Sequence, residues 1–115
     1  MSFQSDLMAA LTTVAGGRVY PQVAPEDAVY PFVNYRVLNK DPITTIDGAV
    51  HATDYRVVFE CWAKDYASAL STADSVRVAV RASTLNYTPI EEPGEDYEPQ
   101  ADSYMEPVYY EFLHA

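Results

Sequence analysis

Basic residues are scarce in this chain. Seven Lys and Arg stand against 17 Asp and Glu, a formal charge of −10 over 115 residues, which is the wrong sign for a protein that grips phosphate backbones by releasing counterions. Nucleic-acid binding is disfavoured, and the balance better suits a surface that avoids DNA or one that docks on a basic partner. Cysteine is nearly missing. Cys61 stands alone, which excludes an intramolecular disulfide and a multi-cysteine metal site and fits a reducing compartment. The chain also lacks an internal repeat and any run of about 18 uninterrupted apolar residues. Its start, Met1-Ser2-Phe3-Gln4-Ser5-Asp6, has no basic stretch leading into an apolar one. Together these absences predict a soluble cytoplasmic chain, made without export and with no membrane partner.

What is present is a globular composition, 49% apolar and 21% charged, outside the regime of disordered chains. The length fits one domain, residues 1–115, around one core. Phe3, Leu7, Ala10, Leu11 and Val14 recur at helical spacing behind Ser2 as N-cap, and Gly16-Gly17 supplies a left-handed stop. Pro21, Pro25 and Pro31 hold residues 18–31 extended and leave room only for a short strand at Arg18–Tyr20, so the segment reads as a strap over the core. Phe32–Leu38 alternates as a strand, with Val33, Tyr35 and Val37 on one face and Asn34 and Arg36 on the other. Residues 54–63 do the same, placing Tyr55, Val57, Phe59, Cys61 and Ala63 in the core set.

Between these strands, Asn39 to Thr53 contains Asp41-Pro42 and Asp47-Gly48, the chemistry of a long hairpin arm with a turn at its tip. Asp65 caps a second helix whose Tyr66, Ala69, Leu70, Ala73, Val76 and Val80 form an apolar stripe ending near Ala82. Leu85–Ile90 suggests a short strand, Glu91–Glu106 an acidic loop broken by Pro93-Gly94 and Pro99, and residues 108–113 a final strand. The predicted fold is α+β: a mostly antiparallel sheet of about four strands, two helices packed on one face, and a long hairpin arm.

Candidates for chemistry are weak. Glu91, Glu92, Glu95, Asp96, Glu98, Asp102 and Glu106 offer oxygens for a hard cation, but their spacing lacks the central glycine and terminal bidentate Glu of a calcium loop. They read as a solvated or partner-facing loop. His51 beside Asp54 could pair as base and orienter, yet Cys61 alternates into the core, where thiols are inert, and no glycine-rich elbow supplies oxyanion donors. His51 is expected to be exposed on the arm and His114 to fray at the terminus. No catalytic residue, cofactor or metal site is assigned.

Ten tyrosines and one tryptophan are abundant for this length, and such side chains are enriched where proteins meet. Core packing accounts for Tyr35, Tyr55, Tyr66 and Tyr110. Trp62, Tyr109, Leu38 and Leu113 instead alternate onto the nominally polar face, beside Arg36, Arg56, Glu60 and Glu111. That mixture suits a subunit contact, although a face covered by the chain's own loops would look similar. Arg36 and Glu60 are placed to pair across strands. On the arm, Ile43 and Ile46 are apolar residues on a polar projection, costly to leave in water unless a neighbour covers them.

The order of these pieces carries a resemblance. Gly17-Arg18-Val19-Tyr20-Pro21, then Tyr30-Pro31-Phe32-Val33-Asn34-Tyr35-Arg36-Val37, then Asp47-Gly48, then Phe59-Glu60-Cys61-Trp62-Ala63-Lys64-Asp65-Tyr66-Ala67 opening a helix, resembles the small tail completion, or tail terminator, proteins of long-tailed bacteriophages. The likeness spans roughly residues 1–90, with the closing strand at 108–113. It implies a structural virion protein of the tail, assembled in the host cytoplasm. Such a protein forms a homo-oligomeric ring, a hexamer by family expectation, that caps the head-proximal end of the tail tube. Its partners would be itself, the tail tube protein and the head–tail connector protein. The alternatives are another connector or neck component, and a small cytoplasmic enzyme or ligand-binding module.

Overall fold

The computed structural model describes residues 2–25, 27–44, 48, 50–90, 96–98 and 103–114. The first helix, α1 (Phe3–Ala10), starts where Ser2 Oγ accepts the Ser5 N–H at 3.1 Å, as an N-cap should. A 3-10 turn, Val14–Gly17, follows, and Gly16 and Gly17 take φ of 63° and 86°, a region a side chain would penalise. The chain then enters β1 (Val19–Pro21), β2 (Phe32–Thr44) and β3 (Val50–Ala63), the long helix α2 (Tyr66–Ala82), and finally β4 (Asn86–Pro89), β5 (Asp96–Glu98) and β6 (Ser103–His114). Asp65 caps α2 by accepting the Ser68 N–H at 2.8 Å.

The strands lie in the order β1-β2-β3-β6-β4, with β5 also on β6. About four mostly antiparallel strands were expected; among the described residues the sheet has six and is mixed, because β1 runs parallel to β2, with Val19 opposite Val33. The difference comes from long-range pairing, which local alternation does not encode. β3 and β4 both run antiparallel to β6, so they point the same way, and α2 supplies the crossover that this requires. Both helices cover one face, as expected. Phe3, Leu7, Ala73, Val76 and Val80 pack there on Val33, Tyr35, Val57, Phe59, Cys61, Val108, Tyr110 and Phe112. Phe3 stacks on Tyr55 with ring centroids 4.1 Å apart, and each fully buried large apolar side chain contributes about 1.5–3 kcal/mol.

Several local expectations are corrected. Tyr66 is exposed, meeting Tyr104 edge-on instead of joining the core, because it opens α2 one turn before the stripe reaches the sheet; Thr72 takes a buried place on that helix. The acidic segment is not all loop: β5 lies within it, and β6 begins at Ser103, so Glu106 is a buried strand residue opposite Cys61. His114 does not fray. Its Nε2 lies 2.8 Å from Asp6 Oδ2 and its ring meets Phe3, tying the last strand to the first helix.

Candidate functional site

Two features stand apart from the core: the sheet face without helices, and the finger made by β2 and β3. A long hairpin arm was expected from Asn39 to Thr53, and the ladder of β2 and β3 continues into it as far as Thr44 and Val50. Lys40 faces Tyr55, Asp41 faces Asp54, Ile43 faces Ala52 and Thr44 faces Val50. Among the described residues, β1 pairs with Val33–Tyr35 and β6 reaches as far as Thr53, so the distal ladder extends beyond both flanking strands. The molecule measures 52 × 25 × 24 Å. Asp41 and Ile43, two apart, share the face opposite the helices. Ile43 is 44% exposed and borders a shallow hollow with Asp54, Glu111 and Leu113. Ile46 lies outside the described residues, as does the Asp47 half of the tip turn, and so does the side chain of His51.

At the opposite end of the same two strands, the strap crosses the open face. It was expected over the core. Because β1 and β2 run parallel, the chain leaving Pro21 must travel back before entering β2 at Phe32, and the helices already occupy the core side. The strap is pinned where Gln22 N–H donates to Tyr35 O at 2.8 Å and Arg18 Nε donates to Pro31 O at 2.9 Å. Between strap and sheet runs an open cleft of about 460 Å³, walled by Val23, Ala28 and Tyr30 on one side and by Phe32 and Trp62 on the other.

Asn34 forms the floor of this cleft. Its Nδ2 donates to Gln22 O at 3.1 Å and to Glu60 Oε1 at 2.7 Å, while its Oδ1 accepts the indole N–H of Trp62 at 2.9 Å. Indole only donates and carboxylate only accepts, so the orientation of the amide is fixed by its partners. Arg36 closes the network, donating through Nε and a terminal nitrogen to both Glu60 oxygens at 3.2 Å. The polar groups of the floor are thus satisfied among themselves, and the walls are apolar. The expected Arg36–Glu60 pair is present, as a diagonal contact: Arg36 lies opposite Val58 and Glu60 opposite Asn34.

The remaining candidates divide. Trp62 is on the open face but half-buried, stacked near Phe32 at 6.4 Å, so it belongs to the cleft and not to a bare surface. Tyr109 is half-buried opposite Val58, and Leu113 is exposed near the base of the finger. Arg56 is 54% exposed, its Nε 3.8 Å from Glu111 Oε2, too far for a hydrogen bond. Leu38 departs from its expected face position: the register shifts between Val37 and Asn39, leaving Leu38 as the exposed bulged residue, which restarts the alternation beyond it. Asn34 is the residue that sequence reasoning missed. Its only signal was its register opposite Glu60, which pairing alone reveals.

A family model described as tail completion protein gp17 matches residues 6–106. The chain belongs to the tail completion family. The match runs from Asp6 in α1 to Glu106 in β6 and takes in both helices, the strap and the finger. No curated protein matches the chain closely enough to count as a relative. Membership makes this a structural component of a phage tail, and the open face and finger are the parts of this tail completion protein that its own core leaves unused. Cys61, between Glu60 and Trp62 on β3, turns its side chain to the other face, into that core. Among the described residues, no group of three His, Cys, Asp or Glu side chains is placed to hold a metal ion, and no helix is long and apolar enough to cross a membrane.

Proposed function

We propose that copies of this chain close into a ring, a hexamer by family expectation, on the head-proximal end of the tail tube. The ring stops polymerisation and offers the head–tail connector protein its docking surface. Family membership supports the setting. The observation that carries the reading is the finger: a two-stranded ladder projecting past its own sheet with Ile43 uncovered, a costly arrangement in water that contact with a neighbour repays. Ring closure needs a head-to-tail contact whose rotation closes, since any other rotation gives a filament. Trp62, Tyr109, Leu38, Leu113, Arg36 and Arg56 supply the rest of the contact surface, toward the next copy or the tail tube protein. The net charge of −10 suits a ring whose bore must pass DNA without holding it.

Depleting the protein during phage growth tests this directly. Tails of uncontrolled length, or heads and tails that fail to join, are expected. Normal particles would refute it.

A further inference from the structure

Finger and cleft sit at opposite ends of one ladder. From Ile43 back to Phe32 the β2 strand covers roughly 36 Å at about 3.3 Å per residue, so the finger cannot fold onto the cleft of its own chain. Each is nevertheless fitted to the other. The cleft has aromatic walls and a polar floor already satisfied internally, so it favours an apolar occupant; Val23 on its strap is 79% exposed. The finger presents Ile43, with exposed Asp41 two residues away on the same face. The charges also complement one another. Of the two charged side chains that line the cleft among the described residues, Glu60 is only 16% exposed and committed to Asn34 and Arg36, whereas the Arg36 side chain is 47% exposed. An occupant bringing a carboxylate beside an apolar anchor suits that arrangement.

We infer that the finger of one copy docks in the strap cleft of the next, Ile43 entering between Val23 and Trp62 and Asp41 approaching Arg36. This rests on the proposed ring and specifies its contact. Two different surfaces at opposite ends of one molecule make a heterologous, head-to-tail interface, the kind that propagates around a ring. Strap and finger are then two halves of one joint, and neither has its occupant within a single chain.

The test uses completed tails carrying paired cysteines and a short bismaleimide cross-linker. Ile43→Cys combined with Val23→Cys is expected to give a ladder of covalent oligomers on denaturing gels. Ile43→Cys combined with Val78→Cys, an exposed position on α2, should remain monomeric, as should each single variant. The inference is overturned if the Val78 pair links instead, or if the Val23 pair stays monomeric while tails carrying it are complete. That second outcome leaves the ring itself standing, because depletion tests the ring separately.

Discussion

Asn34 organises the open face through one carboxamide, holding the strap, Trp62 and Glu60 together, and its removal should be felt by all three. Asn34→Ala leaves the indole N–H and part of the Glu60 carboxylate without partners at a half-buried site. A loss of about 1–3 kcal/mol is expected, read as a lower denaturant midpoint with an unchanged slope. Tyr35, on the other side of the same strand, is buried in the core, and burial raises its phenol above the ordinary value near 10. The neutral form is favoured by folding, so its contribution is complete below the unfolded value and disappears as pH rises through the folded one. An absorbance titration should show a late-ionising tyrosine, coupled to unfolding, that disappears in Tyr35→Phe; a late step unchanged by that substitution would show this to be wrong. The core assignment of Cys61 was legible because alternation in β3 is regular. Leu38 was not, because a bulge is a property of the pair and leaves no mark on one strand.

Elements were legible where local chemistry decides them. Ser2 and Asp65 marked helix starts correctly, since caps answer to nearby backbone groups, whereas α1 stops at Ala10, before the glycine pair expected to end it, and Gly16 and Gly17 instead lie in the 3-10 turn that follows. Asp65→Ala should therefore cost about 1 kcal/mol, visible as a lower thermal midpoint, with Asp65→Ser recovering most of it. The continuation of β2 past Leu38 into the finger was hidden by Asn39, Asp41 and Pro42, residues that usually announce a turn but are tolerated in an edge strand with solvent beside it. The start of β6 was hidden likewise by Pro107, which falls in the gap between the stretch paired with β5 and the stretch paired with β4. Because the finger lies outside the core, Ile43→Ser should change stability by less than about 1 kcal/mol yet impair attachment to tails. A misfolded variant, seen by circular dichroism, would instead make Ile43 a core residue.

At the scale of the whole molecule, family and fold class could be read from the order of elements, but the position of the strap could not, since it follows from the parallel pairing of β1 and β2. That pairing also leaves the outer edge of β2 without a partner strand past Tyr35 among the described residues. Past that point the strand carries a naked row of backbone donors and acceptors. Lys40 and Pro42 sit on that row, a charge and a missing N–H, and both discourage strand addition by a stray chain. Pro42→Thr should therefore convert a storable protein into one that seeds fibres on standing, detectable as rising light scattering and thioflavin fluorescence, while a clear solution would show that the edge is guarded in some other way. A single imino acid would then set how long a stock of unassembled parts keeps.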